Sequence, residues 1–378
     1  MNPLYVDKLA QKLAQRKAEN SFRTLSVCEA ETDFCSNDYL GLAQNEALFD
    51  AVENKVRSLK INNKLGATGS RLISGNHDYF LQLETFLAKI HQSTDALLFN
   101  SGYSANLAVL STLPQKGDTI IYDELSHACI KDGARLSFAD RFTFKHNDIE
   151  DLERKISKAT GNIYVAIESV YSMDGDFAPL TAIAQLCHLH SACLVVDEAH
   201  STGVWGVSGN GLVCDLGLET LVPIRIHTYG KAMGCHGACV ISGPVIKQYL
   251  INFARSFIYT TAMPLHNLVA IALAYQFLQE NPDLQSCITH KIALFKALTK
   301  SIADKKVDSS SAIQAIIIPG NSAVKAIANK IKSQGFDVRP ILSPTVKAGA
   351  ERLRICLHTY NTDQEITNLA NLLVACLA

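Results

Sequence analysis

The chain of 378 residues carries almost no net charge: 35 Lys and Arg stand against 36 Asp and Glu, leaving −1 at neutral pH. Nucleic acids and anionic membrane surfaces are held chiefly by a basic excess, so neither is an expected partner. No window supplies the roughly 18 consecutive apolar residues that a membrane-spanning helix requires. The N-terminal stretch MNPLYVDKLAQKLAQRKAEN is polar with a helical pattern and has no apolar core of a secretory signal. The eleven cysteines are odd in number and form no C-x-x-C pair. Cys193, Cys239, Cys356 and Cys376 lie in apolar runs, as buried free thiols of a reducing compartment do, so a cytoplasmic location is expected. Cys235, His236 and Cys239 are neighbours, but no second half of a zinc site follows, and no metal is expected. Internal repeats, low-complexity linkers, P-loop and dinucleotide fingerprints and a G-x-S-x-G elbow are all missing.

What remains is a chain that is 48% hydrophobic and long enough for two domains. A helix is expected over residues 1–26, a short extended piece over 34–42, and helices over 46–59 and 78–91. The glycine-rich loop Lys64 to Asn76 lies between the last two. The middle alternates strand-like runs, at residues 96–99, 119–122, 163–167, 194–196, 223–227 and 238–242, with helical patterns at 104–112, 149–159 and 180–190. Such alternation predicts an α/β fold with a mostly parallel sheet covered on both faces. Ligands of these sheets bind beyond the carboxyl ends of the strands. Polar residues fall there five times: Asn100-Ser101-Gly102, Asp123 to His127, Glu168 to Ser172, Asp197 to His200, and Thr228 to Lys231. A long helix over 264–280 leads to a smaller C-terminal part. Its elements are expected at 312–318, 322–333, 336–341, 352–357 and from 362 onward.

Two of these strand ends carry a recognisable chemistry. Lys231 sits among small residues in HTYGKAMGCHG, where an amine can meet a carbonyl and form a Schiff base. Thirty-four residues earlier, Asp197 closes the run Cys193 to Val196. A lysine for an aldehyde and an acid for a pyridine nitrogen are what pyridoxal 5'-phosphate (PLP) demands of a protein. His200 follows in the same segment. Ser101-Gly102-Tyr103 opens a helix directly after a strand, which suits a phosphate, although a plain strand-to-helix turn reads the same way. His127 fits either a ring-stacking imidazole or a cap. Thr228 places a hydroxyl beside Lys231; a Ser/Thr-x-x-Lys acyl-enzyme would need partner motifs that are missing. Arg354 alternates with Arg352 and Cys356 on one side of a strand, and fits a carboxylate clamp or a solvated face.

Taken in order, several stretches together resemble the α-oxoamine synthases. They are Ser36-Asn37-Asp38-Tyr39-Leu40-Gly41-Leu42, Gly69-Ser70-Arg71, Ser74-Gly75, Asn100 to Tyr103, Ser126-His127-Ala128, Tyr171 to Asp176, Asp197 to His200, Thr228 to Ala232, and Tyr259 to Pro264. The resemblance spans nearly the whole chain. It implies an aspartate-aminotransferase-like architecture (PLP fold type I): a large domain with a mostly parallel sheet plus a smaller α+β C-terminal domain. The divisions expected are an N-terminal helix and extended segment over 1–45, a PLP-binding domain over 46–275, and a small domain over 276–378.

The resemblance also implies roles. Lys231 is the Schiff-base lysine, Asp197 the pyridine-nitrogen partner, His200 the ring-hydroxyl contact and His127 the stacking residue. These four are the expected catalytic set. Gly102, Tyr103, Ser172 and Thr228 complete the cofactor contacts, with Tyr103 in place of a common Phe. Thr260 and Thr261 reach the phosphate of a neighbouring subunit, which implies a homodimer with shared active sites. Arg23, His127 and Arg354 are substrate-side. Cys356 and His358 stand where one relative has threonines. The SRLISGN loop and SMDGDFAPL favour the branch of biotin synthesis that condenses L-alanine with pimeloyl-CoA, or a pimeloyl carrier protein, with loss of CO₂. The alternative within the family joins glycine to acetyl-CoA. A regulatory, non-catalytic partner of this fold is the alternative outside it, and such a partner could dispense with the lysine.

Overall fold

The computed structural model describes residues 3–25, 32–62 and 64–377. Contacts divide the chain into two compact units, one of residues 37–172 and 177–288, the other of 1–36, 173–176 and 289–378. The boundaries thus fall at 36/37 and 288/289, and the first 36 residues group with the C-terminal third. The reason is local pairing: Thr32–Asp33 forms a two-residue parallel bridge with Phe336–Asp337.

The larger unit is built on a seven-stranded sheet. Its order is Asp95–Phe99, Ala238–Ser242, Ile224–Thr228, Cys193–Asp197, Ile163–Glu168, Thr119–Asp123, Asp140–Phe144. All neighbours run parallel except Ala238–Ser242, which is antiparallel to both of its partners. The α/β class with a mostly parallel sheet therefore holds. Successive side chains in a strand alternate between faces, and both faces of this sheet are apolar. Val195, Ala166, Ile224 and Ile226 join a core with Ala105, Ala108 and Val109 of the helix Gly102–Thr112. Leu194, Val196, Val165 and Ile167 join the opposite core with Ile183 and Cys187 of the helix Leu180–Leu189. Period two then places Glu168, Asp197 and Thr228 on the first face, the one covered by Gly102–Thr112, at neighbouring strand ends.

Several elements escaped the sequence reading. Asp140–Phe144 is an edge strand with four of its five residues exposed, so no buried run marks it. The helix Ala128–Leu136 contains Gly133. A Cβ there would stand 2.9 Å from Leu110 Cβ and 3.2 Å from Asn106 O, so glycine permits the close packing of two helices. The helices Pro244–Phe253, Arg255–Ile258 and Asp283–Leu298 were not anticipated either.

In the smaller unit the N-terminal helix is Pro3–Ala18, shorter than the expected 1–26. Asn20 turns to φ +53, and Ser21 N donates back to Arg16 O at 2.8 Å, which ends the helix. Residues 1, 2 and 26 of that expectation lie outside the described residues. The expected strand 336–341 is two pieces, Phe336–Asp337 and Arg339–Ile341, that pair with different partners. The strand Arg352–Cys356 is central between Arg339–Ile341 and Ile313–Ile317 and is buried throughout, so it presents no solvated face. Among the described residues no helix is long and apolar enough to cross a membrane.

Candidate active site

The site is a cleft of about 220 Å³ at the C-terminal ends of the parallel strands, lined by residues of the larger unit alone. Gly102, Tyr103, His127, Asp197, Thr228 and Lys231 line it. They arrive from four strand ends or helix starts, as expected of a doubly wound sheet. His200 joins them through its Nε2, 2.8 Å from Lys231 Nζ.

Asp197 is the last residue of its strand and is only 5% exposed. Its Oδ2 accepts from Asn106 Nδ2 at 2.7 Å, and its Oδ1 accepts from the Ala199 amide at 2.9 Å. The segment that follows is stapled by Glu198, which accepts from the amides of Leu212 at 2.9 Å and Val213 at 2.8 Å and from the Ser201 hydroxyl. Glu198 is completely buried, and burial pushes its carboxyl above the ordinary range. His200 Nδ1 lies 2.8 Å from Tyr39 Oη, whose hydroxyl donates to Asn37 Oδ1 at 3.0 Å. The two ring nitrogens thus hold His200 between Tyr39 and Lys231.

Glu168 sits beside Asp197, its Cα partner in the adjacent strand. One carboxylate oxygen accepts from the His127 amide at 2.6 Å. Burial, reinforced by the neighbouring Asp197 charge and opposed by Lys231, pushes the Glu168 carboxyl up to about 8. His127 is the N-cap of Ala128–Leu136: its Nδ1 accepts from the Cys129 amide at 3.2 Å and lies 2.9 Å from Cys129 Sγ. Burial, then the charges of Asp197 and Glu168, raise the Cys129 thiol, so it stays a protonated donor to that nitrogen. Nε2 of His127 therefore holds the ring proton. His127 is a cap, as one of its two readings had it, and it also lines the cleft.

The phosphate end is equally specific. The first amides of a helix have no carbonyl of their own helix to meet, and Gly102 and Tyr103 open theirs. Ser101 is occupied by capping, accepting from Ser104 N at 3.2 Å. A Cβ on Gly102 would fall 2.3 Å from Thr228 Cγ2, so only glycine leaves this corner open. Thr228 Oγ1 is buried without a hydrogen-bond partner. An orphaned hydroxyl in the same cleft as the opening residues of a helix fits a phosphate. With an amine and a carboxylate in the same cleft, the residues fit pyridoxal phosphate from end to end.

Other expected residues lie elsewhere. Ser172 is buried just past the strand Ile163–Glu168 and does not line the cleft. Thr260 and Thr261 sit by Asn100, whose Nδ2 donates to Thr261 O at 2.8 Å and to Thr260 Oγ1 at 3.4 Å; they line no part of the cleft. Arg23 and Arg354 belong to the smaller unit. Arg23 donates to Thr345 Oγ1 at 3.0 Å, and Arg354 is buried with Nη1 2.9 Å from Cys356 Sγ. His358 is fully buried, its amide held by Asn361 Oδ1 at 3.0 Å. The sequence reading gave no role to Asn106, Cys129 and Glu168. Glu168 alone left a trace, as a charged residue ending a buried run. Among the described residues no group of His, Cys, Asp and Glu is arranged to hold a metal.

The family model of class I and II aminotransferases matches residues 30–373. An 8-amino-7-oxononanoate synthase of Emericella nidulans is 38% identical, over 96% of this chain and 93% of that one. The crystal structure of an 8-amino-7-oxononanoate synthase from Francisella tularensis is 30% identical with a TM-score of 0.78, covering 92% of this chain and 97% of that one. A serine palmitoyltransferase from S. paucimobilis with bound PLP–myriocin reaches a TM-score of 0.88 over 100% of this chain and 98% of that one. At 23% identity, that last likeness speaks to the fold only.

Proposed function

The chain belongs to the class I and II aminotransferase family, and from that premise we propose that it is an 8-amino-7-oxononanoate synthase. It condenses L-alanine with a pimeloyl thioester and releases CO₂ and the thiol. The observation that carries this reading is the pairing within one cleft of the Lys231 amine, 2.8 Å from His200, and the Asp197 carboxylate fixed by Asn106. The relatives named above place that chemistry in biotin synthesis rather than in acetyl transfer to glycine.

Bound pyridoxal phosphate supplies an electron sink for the carbanion that forms at the amino acid's Cα. Lys231 would hold the cofactor through Nζ, and its free amine would take the substrate's α-proton on that same atom. His200 accepts from that amine and keeps it oriented. Asp197 offers its carboxylate to the ring nitrogen, held in place by Asn106 and the Ala199 amide. The amides of Gly102 and Tyr103 and the Thr228 hydroxyl take the phosphate. His127 closes one side of the cleft, its orientation set by the Cys129 amide and thiol. Ser172, which does not line the cleft, contributes through its amide, which donates to Glu168. Arg354 and Arg23 serve the substrates' carboxylates and acyl group. The working unit is a homodimer, in which Thr260 and Thr261 serve the partner's phosphate, and it acts in the cytoplasm.

Thiol release separates the alternatives. With L-alanine and pimeloyl-CoA the PLP-loaded protein releases CoA, and with glycine and acetyl-CoA it is at least about tenfold slower. Faster release from the second pair overturns the assignment. A purified protein that PLP cannot reconstitute would instead favour the non-catalytic reading.

A further inference from the structure

His236 also lines the cofactor cleft. It is exposed, and its ring makes no hydrogen bond, ion pair or ring contact among the described residues. A histidine with a free ring at the wall of a cleft is available to a ligand.

The backbone brings this residue to the phosphate corner. Thr228 and Ala238 are partners in an antiparallel pair of strands. One step beyond them, Tyr229 N donates to Gly237 O at 2.9 Å. His236 comes next, as a diagonal neighbour of Thr228, and a ring-sized side chain spans that separation. Cys235 N donates to Tyr229 O at 2.7 Å, so the main chain is tied on both sides of His236. The space beside it is open: a Cβ on Gly230 would meet only Cys235 O, at 3.6 Å.

Charge gives the position a task. A phosphate monoester carries close to two negative charges at neutral pH. The groups already placed at that corner, the Gly102 and Tyr103 amides and the Thr228 hydroxyl, are all neutral. Besides Lys231, whose amine serves the other end of the cofactor, only His127 and His236 among the lining residues can carry positive charge. His127 is engaged by the Cys129 amide and thiol. An imidazole keeps an N–H in either charge state, and a neighbouring anion favours its protonated form.

We propose that His236 is a cofactor-binding residue that donates to the phosphate of PLP. The proposal rests on the cofactor reading and is independent of which acyl thioester is condensed.

The test compares PLP with pyridoxal, which lacks the phosphate. Each is titrated into the full-length, cofactor-free protein, and binding is followed by absorbance. His236→Ala raises the dissociation constant for PLP at least about fivefold, the low end for a hydrogen bond to a charged group at a solvated site. The same variant leaves the constant for pyridoxal within about twofold of the parent's, which a general disturbance of the cleft would not do. His236→Arg restores a cation and a donor, and brings PLP affinity back to within about twofold of the parent. Both changes are at an exposed position. Unchanged PLP affinity in His236→Ala, an equal loss with pyridoxal, or no recovery in His236→Arg overturns the proposal. A parent protein that takes up no PLP overturns the cofactor reading and the proposal with it, and the same titration tells the two failures apart.

Discussion

Glu168 offers a perturbation whose sign can be worked out in full. The folded, cofactor-free protein holds this carboxyl at about 8, against an ordinary value of 4.5. Between those two values the folded state keeps a proton that the unfolded chain gives up. Stability contributed by this group is therefore present at pH below 4.5 and falls as pH rises toward 8, at about 1.4 kcal/mol per unit at most. From pH 5 to 7 the full effect is about 2.7 kcal/mol, and relaxation around a buried group reduces it to about 1–2 kcal/mol. Glu168→Gln keeps the shape and cannot ionise. Other buried groups shifted by the fold, such as Glu198, His91 and His227, are common to both proteins and cancel in the comparison. Urea unfolding of both PLP-free proteins, at equal concentration and at pH 5, 6, 7 and 8, gives the difference in midpoint. The variant gains on the parent steadily as pH rises. A difference that stays constant with pH would show Glu168 ionised in the fold and refute the reasoning; a variant that loses ground as pH rises would reverse its sign.

Thr228→Val keeps the shape and deletes the orphaned hydroxyl; the PLP dissociation constant rises about 10- to 100-fold, measured by fluorescence titration, the scale of a lost hydrogen bond to a charged group. Asn106→Ala frees Asp197 Oδ2, and kcat falls at least about tenfold while the protein still binds PLP; an unchanged kcat removes Asn106 from the site. Arg354→Gln raises KM for L-alanine at least about tenfold with PLP content unchanged, and an unaltered KM takes Arg354 out of the carboxylate role.

The large unit was legible because its strands are short apolar runs with charge at one end. Cys193 to Val196 ending in Asp197, and Ile163 to Ile167 ending in Glu168, declare both the sheet and its chemical edge. Lys231, Asp197, His127, Thr228 and Gly102 lie together because parallel strands put their carboxyl ends side by side. What stayed hidden depends on tertiary neighbours. Asn106 looks like an ordinary residue inside a helix until that helix is laid on the face carrying Asp197. Tyr39, 161 positions from His200, gains its meaning from one hydrogen bond. Arg352 and Arg354 alternate as surface residues would, yet their strand is central and buried, and Arg352 is paired with Asp174 across 178 residues of sequence. Alternation reports which side chains share a face, while burial depends on what later covers that face.

The identity of the lysine that carries the cofactor tests the account most directly. Borohydride reduction of the PLP-loaded protein fixes the cofactor to its amine, and peptide mass mapping then locates it. The account predicts a single phosphopyridoxyl group on Lys231. A label on any other lysine, such as Lys131 near His127, or protein that takes up PLP without a reducible bond, contradicts it.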